Sequence, residues 1–120
     1  MIKTVFDLEV FKISYQLAMD VFHATRKFPR EERYSLTDQI VRSSRSISAN
    51  IAGGWGKRIY ENEFKRHLIY AMDSLEETKA WLYFSRDRSN FNVETFGNFE
   101  KKLDELGAKI YKLFENWRTL

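Results

Sequence analysis

The chain has no cysteine, a single proline and only two histidines. Without cysteine it has no disulfide framework and no thiolate metal site, and a reducing compartment is compatible with that. No uncharged run approaches the ~20 residues that a membrane span needs. The opening stretch, MIKTVFDLEVFK, carries acids within its apolar part and has no long apolar core, unlike a signal peptide. These absences predict a soluble, cytoplasmic protein. No segment alternates with period two or carries a hairpin signature, so strands are not expected. Internal repeats and low-complexity tracts are also missing.

What is present suits one core. The 120 residues are 43% hydrophobic and 16% aromatic, including 10 Phe, 6 Tyr and 3 Trp, which argues against disorder. The length predicts a single domain over 1–120. Net charge is +3, but its distribution is uneven. Residues 26–66 hold ten Lys/Arg against five acids, whereas residues 1–25 and 67–120 are each slightly acidic. Such clustering favours a polyanion partner. The plainer reading is a solvated cationic surface with no ligand.

Helical spacing runs from end to end. Over about 7–27, Leu8, Phe11, Tyr15, Ala18, Phe22 and Thr25 recur at steps of three and four, one apolar stripe of a helix. It should stop near Phe28-Pro29, because the residue before proline disfavours helix. Residues 29–34 read as a charged loop. Ser35 resembles an N-cap with Asp38 in a capping-box position, opening a second helix over about 36–52. Its inward face would be Leu36, Ile40, Ser43, Ile47 and Ile51, and Gly53-Gly54 would end it.

A third helix over about 60–86 carries Phe64, Leu68, Ala71, Leu75, Thr78 and Leu82. A fourth over about 93–118, capped by Asn92, carries Phe96, Phe99, Leu103, Leu106, Ile110, Leu113 and Trp117. Helices of this length with short connections predict an all-α, antiparallel up-down four-helix bundle. Helix 3 adds Ile69, Met72, Trp81, Tyr83 and Phe84 outside its stripe, and helix 1 adds Val10, Leu17 and Val21. A second stripe of this kind predicts self-association.

Catalytic chemistry finds little support. A di-iron bundle needs a Glu-x-x-His on each of two helices and a Glu on each of the others. Asp20 stands three before His23 and Glu63 four before His67, and helix 2 has no Glu. No metal site and no cofactor are therefore expected. The serines at 35, 43, 44, 46 and 48 lack a strand–elbow–helix setting and paired His and Asp, and small hydroxyls in a helix more often permit close helix approach. The Gly53–Lys57 run is not a phosphate loop.

The basic segment remains. Asp38, Arg42, Arg45 and Ala49 share the face of helix 2 opposite its core stripe, Lys57 and Arg58 follow the helix end, and Lys65 and Arg66 begin helix 3. Arginine engages phosphate with a bidentate fork, and Trp55 or Tyr60 would stack on a base. The candidate nucleic-acid contacts are Arg42, Arg45, Trp55, Lys57, Arg58, Lys65 and Arg66. The pattern is not a helix-turn-helix.

These residues resemble a known family, the four-helix-bundle proteins encoded in intervening sequences of bacterial 23S ribosomal RNA genes. Phe6-Asp7-Leu8-Glu9-Val10 matches its opening block, and Phe28-Pro29 with Glu32-Arg33 matches its "FP-x-x-E-R" loop. Gln39, Arg42, Ser46-Ile47, Asn50-Ile51-Ala52 and Gly54 match its second-helix motif, and Phe64, Leu68, Ala71 and Ser74-Leu75-Glu76-Glu77 its third. Ser48 stands where proline is usual, Gly53 where Glu is usual and Asp73 where Gly is usual. The chain is also similar to the accessory variability determinant of diversity-generating retroelements. The resemblance implies a ring, a homopentamer, with no enzyme activity. It also implies RNA or DNA, and a reverse transcriptase, as partners. The alternative is a protein-interaction scaffold that binds no nucleic acid.

Overall fold

A computed structural model describes residues 2–119. Four helices carry the architecture: α1 (Glu9–Thr25), α2 (Asp38–Trp55), α3 (Glu61–Asp87) and α4 (Val93–Asn116). No strand occurs among the described residues.

Cross-helix contacts fix the topology. Lys109 reaches Glu9 and Lys102 reaches Asp20, so α4 runs antiparallel to α1. Lys79 pairs with Asp104 and the Tyr83 hydroxyl meets Glu100, so α4 is antiparallel to α3. Thr78 meets Ser43 and Ser74 meets Ser46, so α3 is antiparallel to α2. It follows that α1 and α2 are antiparallel too, and the chain is an up-down four-helix bundle, 49 Å long and 24 by 21 Å across.

The apolar stripes of α3 and α4 are where their spacing places them. Phe64, Leu68, Ala71, Leu75, Thr78 and Leu82 are all buried, and so are Phe99, Leu103, Leu106 and Ile110. In α2, Ile40, Ser43, Ile47 and Ile51 face the core. The α2–α3 seam is narrow because its residues are small. The Thr78 hydroxyl lies 2.9 Å from Ser43 Oγ and 2.8 Å from the Ser74 carbonyl, and Ser74 Oγ donates to Ser46 Oγ at 2.9 Å. Buried hydroxyls cost stability unless partnered, and here they partner one another.

Helix α1 differs from its expected stripe. Val10, Leu17 and Val21 are core residues, while Tyr15 is 50% exposed. The helix packs against α2 and α4, so its buried arc is wider than one stripe and is rotated away from Tyr15. The extra apolar residues of α1 are therefore core. Those of α3 divide: Ile69, Tyr83 and Phe84 are exposed, whereas Met72 and Trp81 are half-buried against the core.

The entry to α2 also departs from expectation. Residues 29–34 are not an open loop, and Ser35 is not an N-cap. The chain passes through a 3-10 turn (Arg30–Glu32) and a π turn (Arg33–Thr37) directly into α2. The residue before α2, Thr37, is already helical and makes no side-chain cap. The cause is Glu32, which is buried. Its carboxylate accepts from Ser35 Oγ at 3.0 Å, Asn90 Nδ2 at 3.0 Å and Arg88 Nε at 3.2 Å. These bonds take Ser35 away from a capping role and tie the α1–α2 connection to the α3–α4 turn. In that turn Ser89 adopts φ 61°, a left-handed helix terminator, and Asn92 Oδ1 then caps α4 by accepting from Thr95 N at 2.7 Å.

Gly53 and Gly54 do not end α2, which continues to Trp55. A Cβ on Gly54 would stand 2.6 Å from the Cβ of His67, so glycine here permits helix–helix approach rather than a turn.

Candidate nucleic-acid interface

The outward face of α2 is as the spacing predicts: Asp38, Arg42, Arg45 and Ala49 are all exposed. The Arg45 guanidinium sits over the Phe22 ring of α1, 5.5 Å from its centroid. The other candidate residues are not on that face. Arg45 and Lys57 are twelve positions apart, about 18 Å of helical rise. The proposed cations thus form two groups at different heights of the bundle.

The second group is largely occupied. Trp55, expected to be exposed for base stacking, is 9% exposed. It packs edge-on to Phe64 and Trp117, because α2 runs three residues longer than expected and carries the indole into the bundle end. Arg58 covers that indole at 4.0 Å, and its Nη1 donates to the Trp55 carbonyl at 2.9 Å. Lys57 Nζ lies 3.3 Å from His67 Nε2. Lys65 pairs with Glu61 and Arg66 with Glu63, each at 3.7 Å. Tyr60 is exposed beside them.

Ion pairing is denser in the C-terminal half, although Lys101, Lys112 and Arg118 make no ion pair there among the described residues. From α3 onward, Lys79, Arg86, Arg88, Lys102 and Lys109 each hold a carboxylate. Hydrogen bonds to Asp104 and Glu9 raise the pKa of Lys79 and Lys109, and the Lys109 bond lowers that of Glu9. Glu61 is likewise lowered, chiefly by the Thr119 N–H. In contrast Arg26, Lys27, Arg30, Arg33, Arg42 and Arg45 make no ion pair among the described residues.

Sequence reasoning counted Arg26, Arg30 and Arg33 in the basic third but did not place them at the site. The structure brings Arg26 and Arg33 into one cleft with Arg45, and Arg30 into the cleft that adjoins it. The end of α1 and the turns before α2 meet on one side of the bundle, forming a cleft of about 550 Å³ lined by Phe22, Arg26, Arg30 and Arg33. A smaller cleft adjoins it, shared by Arg26, Arg33, Asp38 and Arg45. The signal available in the sequence was the antiparallel pairing of α1 with α2, which places a helix end and the following charged segment next to the first turns of α2.

Among the described residues no group of three or more His, Asp or Glu is arranged to hold a metal. His23 is exposed, and His67 is committed to the α2–α3 seam. Among the described residues no helix is long and apolar enough to cross a membrane.

A family model for the 23S rRNA-intervening sequence protein matches residues 6–112. A crystal structure of a protein of unknown function from the S23 ribosomal protein family of Bacteroides thetaiotaomicron is similar in fold, with a TM-score of 0.82 and 20% identity. That likeness covers 89% of this chain and 96% of the other. No functionally curated protein matches the chain. The family match extends from the turn before α1 to the last turns of α4, and the chain belongs to the 23S rRNA-intervening sequence protein family.

Proposed function

We propose that this protein is a non-enzymatic, self-associating bundle of the cytoplasm that binds structured RNA or another nucleic acid through its basic side. The observation that carries the reading is the set of arginines from 26 to 45 with no carboxylate partner among the described residues. Clustered like charge opposes folding, while it raises the local concentration of a polyanion and speeds its capture.

Self-association rests on the exposed apolar residues of α3, with Phe84 57% and Ile69 45% exposed, and on the family resemblance. In a ring of five, a +3 chain would carry +15 and repeat the arginine cluster around the assembly. Membership of a retroelement-type complex would add a reverse transcriptase as protein partner.

The test is fluorescence anisotropy with a structured RNA, comparing the unmodified protein with the Arg42→Glu/Arg45→Glu variant. Arg58 is left in place because it packs on Trp55. Loss of binding with retained helicity and assembly supports the reading. Binding that survives the charge reversal, or no binding by the unmodified protein at low salt, overturns it. The second reading, a protein-interaction scaffold, is favoured by the same α3 residues. It predicts assembly in light scattering without RNA binding, whereas a mass of 14.4 kDa at every concentration would exclude self-association.

A further inference from the structure

We infer that the cleft between the end of α1 and the turns before α2 receives an unpaired nucleotide of the bound RNA. This deepens the function proposed above and rests on it. The cleft combines two chemistries that a plain cationic surface lacks. Arg26, Arg30 and Arg33 line it and are exposed. Each guanidinium offers several donors in a planar fork that fits phosphate oxygens.

Its aromatic wall is Phe22, half-buried and held in place by α1. Arg26 and Arg45 both approach that ring, at 5.7 Å and 5.5 Å from the centroid. Those guanidiniums lie over the ring, so a base entering the cleft stacks on a guanidinium plane that the Phe22 ring backs, a platform of the kind on which unpaired bases stack. Asp38 is the one carboxylate lining the adjoining cleft, together with Arg26, Arg33 and Arg45. The volume of about 550 Å³ falls within the range of small-ligand sites.

A duplex does not use such a cleft. Its bases are stacked inside the helix, so it offers a protein phosphates, 2′-hydroxyls and minor-groove base edges but no free base face. A loop, bulge or single-stranded end presents both phosphate and base. The site therefore distinguishes unpaired from paired RNA by geometry.

The experiment measures anisotropy with three probes: an RNA hairpin with an unpaired loop, a fully paired RNA duplex, and heparin as a carrier of charge alone. Phe22→Leu should weaken hairpin binding roughly five- to a hundred-fold and leave duplex and heparin binding almost unchanged. Phe22→Tyr keeps the ring and should retain hairpin affinity, which separates lost stacking from lost packing. Arg26→Glu/Arg33→Glu should weaken all three probes by about tenfold or more, because phosphate contacts act uniformly across sequences. Hairpin binding by the unmodified protein that is insensitive to both Phe22→Leu and Arg26→Glu/Arg33→Glu overturns this site and leaves the wider reading standing. Absence of RNA binding by the unmodified protein overturns both.

Discussion

Gly54 of α2 and His67 of α3 approach so closely that no side chain fits between them: a Cβ on Gly54 would lie 2.6 Å from the His67 Cβ and 3.1 Å from Phe64 Cδ1. Alanine is the better helix former by about 1 kcal/mol. The overlap is with the root of a side chain, which cannot swing away, and overpacking of this kind costs about 1–3 kcal/mol. The overlap therefore outweighs the propensity. Gly54→Ala should lower the thermal midpoint, and an unchanged or raised midpoint would show that the α2–α3 seam is looser than described.

Gly97 gives the opposite expectation from the same chemistry. It lies within α4, exposed, with nothing within 4 Å of a Cβ built there. Gly97→Ala should raise stability by roughly 0.5–1 kcal/mol, through helix propensity alone. Denaturant unfolding of the single variant checks it.

Ala71 is fully buried in α3. Ala71→Leu inserts three carbon atoms into a closed core and should cost about 1–3 kcal/mol. A melting curve superimposable on that of the unmodified protein would place Ala71 on the outside and shift the helix register.

Most of the fold is legible in the sequence because α3 and α4 keep one apolar period over many turns, and periodicity needs no tertiary information. What the sequence hides depends on residues far apart in the chain. Ser35 looks like an N-cap because its local neighbours suit one; Arg88 and Asn90, which hold Glu32 and so redirect Ser35, lie more than fifty residues away. Gly53-Gly54 looks like a helix end, since only the position of His67 reveals close packing. Trp55 looks exposed because Phe64 and Trp117, which cover it, lie near the start of α3 and just after the end of α4. The exposure of Arg42 and Arg45 was legible from α2 alone, whereas their separation from Lys57 and the arrival of Arg26, Arg30 and Arg33 required the bundle.

Glu32 links stability to pH. Hydrogen bonds from Asn90, Ser35 and Arg88 hold its pKa below the usual 4.5, with the Asn90 bond the largest cause, against the opposing effect of burial. A carboxyl with a lowered folded pKa contributes its stability above the unfolded value and loses it as pH falls through the folded one. Glu32→Gln should lower the thermal midpoint at neutral pH by roughly 5 °C. The gap between variant and unmodified protein should narrow below about pH 4.5. A gap that is constant from neutral to acid pH would remove the charge from the explanation.

The most direct test of the central claim is the salt dependence of RNA binding. Each phosphate neutralised releases counterions, with a log–log slope of about −0.7 per contact on single strands. Four contacts, from Arg26, Arg30, Arg33 and Arg45, give a slope of about −3, so affinity should fall roughly fifty-fold between 50 and 200 mM salt. That slope or a steeper one is expected, with a shallower slope in the Arg26→Glu/Arg33→Glu variant. A slope near zero, or no RNA binding at 50 mM salt, would contradict it.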